Sequence, residues 1–293
     1  MKDFKERFSS VKTKTQELIT LTEKGIDWLE KNGDNSTKQG KRQVVNENKI
    51  TLNRVLQASE KRPSIAIFGQ SQVGKSFLVR GLAQSPITSK LEVLNSFEDK
   101  KIDFLQEINP PGGRESTGII TRFSTSKPEG GNNNFPYKVE LLSQLDIAAI
   151  ITNGYLEDLK DYKEEIDKEE VLNEILRLKE DGKTSGNEIR KDEVTDFSNF
   201  LLEMYKEDYR VRDLKNLGYF QDLIEVLPQI NYEKRWEILH FLWGKNEFLT
   251  ELFQKLSKTL CDVSFSAVVN VNEDAIINNT ELGKIFSSTS NII

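Results

Sequence analysis

The pattern of apolar positions predicts a helical start to the chain. Apolar residues recur three, four and seven positions apart over residues 3–31 and again over 44–56, which is typical of two amphipathic helices. The Asn-Gly-Asp-Asn run at 32–35 ends the first helix, and a polar loop is predicted to continue through Gly40. Together these elements predict a helical hairpin. Its apolar stripe is expected to pack against the rest of the chain, with a partner helix or self-association as the alternative.

Strand-like runs occur in four places after the hairpin. Residues 64–68 form an apolar run introduced by Pro63, which is typical of a buried strand in a parallel sheet. Residues 119–124 and 137–142 alternate between apolar and polar positions, as half-buried or edge strands do. Residues 264–271 form the last such run.

Between the third and fourth of these runs the period changes to that of a helix. Helical stripes cover 145–159, 171–178, 197–205, 236–243 and 248–256. Gly244 is predicted to cap the fourth of these stripes.

These patterns predict an α/β fold in which a P-loop NTPase-like sheet carries large, mostly helical additions, and the sheet is expected to be incomplete. The predicted parts are a helical hairpin at 1–60, a nucleotide-binding core at 61–143, a helical region at 144–262, and a return strand with the incomplete end of the core at 263–293.

The sharpest chemical signal lies between the run at 64–68 and the next helical pattern. Residues 69–76 read Gly-Gln-Ser-Gln-Val-Gly-Lys-Ser and fit the phosphate-loop pattern G-x-x-x-x-G-K-[ST], with helical spacing continuing afterwards. Glycines let the main chain approach a ligand closely, so that successive N–H groups point into one concavity. The positive end of the following helix favours an anion at the same place. The sequence therefore predicts a nucleoside triphosphate site.

Particular roles follow for the side chains of this loop. Lys75 provides a mobile charge for the outer phosphates and is a predicted catalytic residue, while the Ser76 hydroxyl is a predicted ligand of Mg²⁺. The predicted nucleotide-binding residues are Gly69, Gln70, Ser71, Gln72, Val73, Gly74, Lys75, Ser76 and Phe77.

A second candidate segment is the loop over residues 109–118, which contains two prolines and three glycines. Phosphoryl-transfer switches place a threonine in such a loop, where it meets Mg²⁺ and the terminal phosphate. Thr121 and Thr117 are both candidates, and Thr121 is the predicted catalytic and metal-binding residue. Arg114 could stabilise developing charge, although an arginine in a loop is more often solvated.

Composition narrows the class of protein. The 293 residues carry a formal net charge of −6, which gives no basis for nucleic-acid binding. Cys261 is the single cysteine, so neither an intramolecular disulfide nor a cysteine zinc cluster can form. No apolar run approaches the ~20 residues that a bilayer-spanning helix needs, and the charged start lacks the apolar centre of a signal peptide. A cytoplasmic protein is therefore predicted. Secretion by a route that uses no cleaved signal is an alternative that the sequence does not test.

The motifs resemble those of a known family. The blocks at 68–78 and 108–123 and the later Leu-Trp-Gly at 242–244 are similar to the N-terminal part of bacterial SrfC-type virulence factors, and the first two blocks resemble the nucleotide motifs of dynamin-like GTPases. The resemblance implies a dynamin-like P-loop protein that binds GTP and Mg²⁺, with Lys75 and Ser76 in the first motif and Thr121 as the switch threonine. Two GTPase motifs, Asp-x-x-Gly and Asn/Thr-Lys-x-Asp, are missing from the sequence.

Three functions therefore stay open. The first is GTP binding by a dynamin-like protein, with hydrolysis coupled to conformational change. The second is an ATPase of another P-loop branch, with Glu273 or Asp274 on the Mg²⁺ side after the last strand-like run. The third is a non-enzymatic helical interaction protein with a relic P-loop. His240, the single histidine, lies in a helical stripe without a predicted partner and is expected to be structural.

Overall fold

A computed structural model shows a mostly helical protein with two small antiparallel sheets. It describes residues 2–33, 35–60, 65–67, 74–95, 97–98, 100–108, 121–123, 130–158, 166–180 and 189–277. The chain divides into two compact units, Met1–Ile67 and Phe68–Ile293.

The first unit is a hairpin of two long helices, α1 (Lys2–Asn32) and α2 (Asn35–Glu60). Both helices were predicted, but the polar loop through Gly40 was wrong, since α2 already begins at Asn35. Lys, Arg and Gln around Gly40 are good helix formers, and one glycine costs a helix only about 1 kcal/mol. An ion pair of 2.9 Å between Lys49 and Glu23 links the two helices.

The predicted strand at 64–68 is not found in the residues that can be described there. Residues 65–67 have no regular secondary structure, and Ile65 is 95% exposed. An isolated apolar run becomes a strand only when a neighbouring strand accepts its backbone hydrogen bonds. The run is too short for periodicity alone to establish that partner.

The first described elements of the second unit are helix α3 (Lys75–Ala83) and a hairpin of strands β1 (Glu92–Asn95) and β2 (Lys100–Asp103). The strands pair antiparallel, with Val93 opposite Ile102. Asn95 shapes the turn, because its side-chain oxygen accepts a hydrogen bond of 3.0 Å from the Phe97 N–H. A π-helical turn, Phe104–Ile108, follows β2.

A second pair of antiparallel strands joins two parts of the chain that are distant in sequence. Strand β3 (Tyr137–Glu140) pairs antiparallel with β4 (Val268–Val271), with Glu140 opposite Val268. Both strands were predicted within 137–142 and 264–271. The predicted P-loop NTPase-like sheet is not found among the described residues, because both described sheets have two antiparallel strands and no parallel pairing occurs there. Residues 121–123 are likewise not in a strand.

The chain between β3 and β4 is helical in the parts that the structure describes. Its helices are α4 (Gln144–Asp158), α5 (Lys168–Glu180), α6 (Lys191–Met204), α7 (Tyr209–Asn216), α8 (Tyr219–Val226), α9 (Trp236–Leu239) and α10 (Glu247–Asp262). A short helix, α11 (Asp274–Ile277), follows β4. The predicted stripes that correspond to α4, α5, α6 and α10 are confirmed.

Local sequence signals explain where these helices begin and end. Ser143 and Asp146 form a reciprocal cap at the start of α4, with hydrogen bonds of 2.8 and 3.1 Å between each backbone N–H and the other side chain. Asn246 caps α10 through a 3.1 Å bond from the Leu249 N–H. The predicted cap at Gly244 is confirmed: it is left-handed, with φ of 57°, after a 3₁₀ turn at His240–Trp243.

These helices enclose the main hydrophobic core, which we call the helical core. Its described part contains 29 buried apolar residues between Leu145 and Leu260. Trp243 is fully buried there and donates its indole N–H to the Thr250 hydroxyl at 2.9 Å. The polar end of the largest side chain is thus satisfied inside an apolar environment.

Candidate functional site

The candidate site is the start of α3, where the phosphate-loop motif ends. Gly74 precedes the helix in a left-handed conformation, with φ of 90° and ψ of 17°, and its carbonyl accepts the Leu78 N–H at 3.0 Å. Glycine adopts this conformation without the steric cost that a Cβ adds. Lys75 and Ser76 are the first residues of the helix, and both are half-buried. The remaining predicted loop ligands, Gly69, Gln70, Ser71, Gln72 and Val73, lie outside the described residues.

The electrostatics of this helix start suit an anion. The first turn of α3 contains no acidic residue. The unpaired N–H groups and dipole of a helix N-terminus attract negative charge, and phosphate is the ligand most often found there. Phe77, by contrast, is 51% exposed on the next position of the helix.

A small apolar cluster supports α3 from beside the first sheet. We call Leu91, Ile102, Phe104, Leu105 and Ile108 the loop-side cluster. Val79 of α3 packs against this cluster, and so does Phe123, whose ring meets Phe104 edge-to-face at 4.8 Å. Thr121 is exposed two residues before Phe123. The cluster therefore anchors both the phosphate-loop helix and the segment of the predicted switch threonine, while Thr117 and Arg114 lie outside the described residues.

Two carboxylates follow β4, and one of them, Glu273, is engaged in an ion pair. Glu273 accepts a hydrogen bond from the Lys100 ammonium at the end of the β1–β2 hairpin. Asp274 begins α11, where the neighbouring Asn272 side chain caps the Ala275 N–H at 3.1 Å. Ile276 of the same helix packs against the loop-side cluster. Among the described residues, the contacts of the segment after β4 are thus one ion pair, one helix cap and apolar packing.

Tyr137 lies next to these charges. Burial, and to a smaller extent the negative charge of Glu273, raises the pKa of the Tyr137 phenol to about 12. Its hydroxyl is buried and makes no hydrogen bond within the described part of the chain. This orphaned hydroxyl, close to an acidic residue, was not predicted from the sequence.

His240 has a structural environment. Its ring packs edge-to-face against Trp236 and Phe241, with centroids 5.5 and 4.4 Å apart. Burial lowers the pKa of the imidazole, so the neutral form is favoured. Its Nε2 is buried with no hydrogen-bond partner among the described residues. The ring is therefore a packing element of the helical core.

The sequence analysis missed a buried ionic group in the helical region. Arg210 is 5% exposed, pairs with Asp208 at 2.7 Å and donates to the Leu156 carbonyl at 3.0 Å. Its guanidinium lies 5.0 Å from the centre of the Tyr155 ring. The sequence contained a local indication of this pair, because Asp208 is also the N-cap of α7 and accepts a hydrogen bond from the Arg210 N–H.

Two broader properties concern the described residues only. No three His, Cys, Asp or Glu side chains come together as a metal-binding group there. Among the described helices, none has the length and apolar content that a membrane crossing requires.

The fold and site thus define a mostly helical protein in which a phosphate-loop motif opens a helix beside a small hairpin sheet. The family described as "Putative bacterial virulence factor" matches residues 25–293, and the chain belongs to this family. The match confirms the virulence-factor part of the resemblance found in the sequence. No curated protein and no solved structure matches the chain.

Proposed function

We propose that this chain binds a nucleoside triphosphate with Mg²⁺ at residues 69–76, with GTP as the preferred nucleotide. The observation that carries the proposal is the left-handed Gly74 immediately before a helix that begins with Lys75 and Ser76. This order of a glycine in a special conformation, a lysine and a hydroxyl at a helix start is what phosphate binding requires.

Each residue at the helix start has a distinct role in the proposal. The N–H groups of the loop and the first turn of α3 hold the phosphates, and Lys75 neutralises their outer charge. Ser76 would hold Mg²⁺ with its hydroxyl, and the ion would neutralise charge on the terminal phosphates. The half-buried position of both side chains suits contact with a ligand that approaches the helix end.

Thr121 is proposed as the nucleotide-sensitive switch residue. Its neighbour Phe123 is fixed on the loop-side cluster, and so is Val79 of α3. A change at the terminal phosphate could therefore be transmitted between two segments that share one apolar support. In a dynamin-like protein, hydrolysis would be coupled to conformational change in this way.

Lys75→Ala tests nucleotide binding directly. We expect labelled GTP to bind the wild-type chain in the presence of Mg²⁺ and to bind Lys75→Ala at least tenfold more weakly, because the outer phosphates lose their counter-charge. Lys258→Ala is the matched control, since Lys258 is an exposed lysine on α10. Ser76→Ala should weaken binding with Mg²⁺ more than binding with EDTA. Equal binding by all four proteins would contradict the proposal.

Competition between unlabelled GTP and ATP separates the GTP-binding protein from the ATPase alternative. The preference for GTP comes from the resemblance to dynamin-like proteins. The ATPase alternative needs Glu273 or Asp274 near Mg²⁺, and the ion pair of Glu273 with Lys100 counts against Glu273. Stronger competition by ATP, with a loss in Asp274→Asn, would favour the ATPase.

A non-enzymatic helical interaction protein is the second candidate. It is favoured by the size of the helical core, which in the part of the chain that the structure describes exceeds that of the loop-side cluster several-fold. In this case, nucleotide would leave the thermal unfolding of both wild-type and Lys75→Ala unchanged, because only a ligand that binds the native state raises stability.

A further inference from the structure

Helix α1 has two apolar rows, and only one of them is shielded. The shielded row contains Thr15, which is 5% exposed, and the half-buried Ile19, Ile26 and Leu29. The second row, which we call the outer seam, contains Val11, Leu18, Leu21 and Trp28, with exposures of 46%, 49%, 60% and 62%. Large apolar side chains on a helix surface in this number mark a contact surface more often than chance exposure does.

The outer seam has the spacing of a coiled-coil seam. Val11 and Leu18 are seven residues apart, Leu21 follows three residues later, and Trp28 seven after that. Positions seven apart lie in one row of a helix, and a second row three residues on completes an a/d pair. The seam extends for about 26 Å along the helix at about 1.5 Å per residue.

The spacing is also the same in both directions along the chain. Reversing the helix about the midpoint of the seam, between Ile19 and Thr20, exchanges Val11 with Trp28 and Leu18 with Leu21. This is the property that a twofold-symmetric interface requires, because one surface must fit a copy of itself. In such an antiparallel pair Val11 meets Trp28, and Leu18 meets Leu21, on each side of the axis.

The residues beside the seam fit the same arrangement. Glu17 and Lys24 are exposed on one flank, and antiparallel pairing brings Glu17 of one copy next to Lys24 of the other, twice by symmetry. Lys14 and Gly25 occupy the remaining two positions of the same a/d row, and antiparallel pairing places them opposite each other. A Cβ built at Gly25 would meet no described atom within 4 Å, so there is space for the longer side chain of Lys14. A parallel pairing gives no Glu17–Lys24 contact, because the two residues are about 10 Å apart along the helix.

We propose that two copies of this chain associate through the outer seams of their α1 helices, which pack antiparallel. The seam is short and contributes four large side chains from each copy, which is little beside a standard interface of about 1,600 Å². A reversible dimer with a dissociation constant in the micromolar range is therefore expected. This inference does not depend on nucleotide binding.

Sedimentation of the whole chain from about 1 to 200 μM, with no nucleotide, tests the dimer. The wild type should shift from monomer to dimer over this range, and Leu21→Asp should weaken association at least tenfold because it buries charges in the seam. Leu176→Asp is the matched control, since Leu176 is 57% exposed on α5 and should leave the dimer unchanged. A wild type that stays monomeric, or a Leu21→Asp protein that dimerises normally, would overturn the proposal.

A charge exchange tests the orientation of the two helices. Glu17→Lys should weaken the dimer, because it places two positive charges together, and Glu17→Lys with Lys24→Glu should restore it. A carboxyl-to-amine zero-length cross-linker should join Glu17 of an unlabelled copy to Lys24 of a ¹⁵N-labelled copy. A dimer that lacks this link or is not rescued by the exchange would contradict the antiparallel arrangement. A monomer that floats with lipid vesicles through Leu21 would assign the seam to a membrane surface instead.

Discussion

The helical core and the loop-side cluster differ strongly in the amount of apolar surface that they bury. Among the described residues, the helical core has 29 buried apolar residues, whereas the loop-side cluster beside the phosphate-loop helix has five. On α3 itself Leu78 is 54% exposed and Leu82 is 75% exposed. Because stability follows buried apolar area, the two regions should differ in how readily they open.

This difference separates a stable scaffold from a site that can adjust. Switch segments and binding loops are drawn from the less stable parts of a protein, where few buried contacts must be broken for movement. The position of the phosphate-loop motif on the smaller cluster agrees with a role in which ligand binding adds order. The following predictions start with the largest expected effect.

Trp243→Ala should cause the largest loss of stability. The side chain is fully buried and hydrogen-bonded to Thr250, so its removal leaves a large cavity and should cost about 3–5 kcal/mol in the free energy of unfolding. Urea unfolding, followed by circular dichroism at low protein concentration, measures this cost. Trp28→Ala is the control at a site that is 62% exposed and should change stability by less than about 0.5 kcal/mol. Similar losses in both variants would refute the assignment of the helical core.

Ile102→Ala should destabilise the loop-side cluster without opening the helical core. Ile102 is fully buried, and its truncation should cost about 2–3 kcal/mol in the free energy of unfolding. Amide hydrogen exchange should become faster in β1, β2 and α3. Leu94→Ala, at a residue that is 51% exposed in the same hairpin, is the control. Equally accelerated exchange in α6 would show that the two regions unfold together.

Gly74→Ala should have a smaller and more local effect. A Cβ would contact no described atom within 4 Å, so the expected cost is that of the left-handed backbone, about 1–2 kcal/mol. The amide of Leu78, which donates to the Gly74 carbonyl, should exchange faster. Gly74→Asn should behave more like the wild type, because asparagine tolerates this conformation. Unchanged exchange in Gly74→Ala would argue against the described start of α3.

His240→Phe should have the smallest effect, visible only in the pH dependence of stability. Because burial lowers the pKa of folded His240, the unfolded chain takes up this proton first as the pH falls. The stability contribution is complete above about pH 6.5, the usual pKa of histidine, and declines below it. His240→Phe should remove this part of the decline, and the chain has no other histidine to mask the difference. Identical slopes of unfolding free energy between pH 7 and 5 would contradict the prediction.

Much of the helical architecture could be predicted from the sequence. The stripes of α1, α4, α6 and α10 are long enough for their period to be unambiguous, and Gly244 gave a local signal for a helix end. The hairpin of β1 and β2 was missed because its strands have four residues each and mix apolar with charged positions. Its turn is formed by the Asn95 side chain, which needs no glycine.

The arrangement of the sheets could not be predicted. An apolar run such as 64–68 suggests a strand, but pairing depends on which distant segment lies beside it, and periodicity does not contain that information. The start of α3 was predictable because the phosphate-loop pattern places a helix directly after its last glycine. The shared support of Val79 and Phe123 was not predictable, because it arises from contacts that are distant in sequence.

The pairing of β3 with β4 has a consequence for how the helical region is attached. The chain leaves the sheet after Glu140 and returns at Val268, directly opposite, and the Leu141 N–H donates to the Ala267 carbonyl at 2.9 Å. Residues 141–267 therefore begin and end at the same edge of this two-stranded sheet. A displacement of these helices would pivot about the two strand ends. A two-residue turn between Glu140 and Val268 could replace the whole segment and give a smaller version of the second unit.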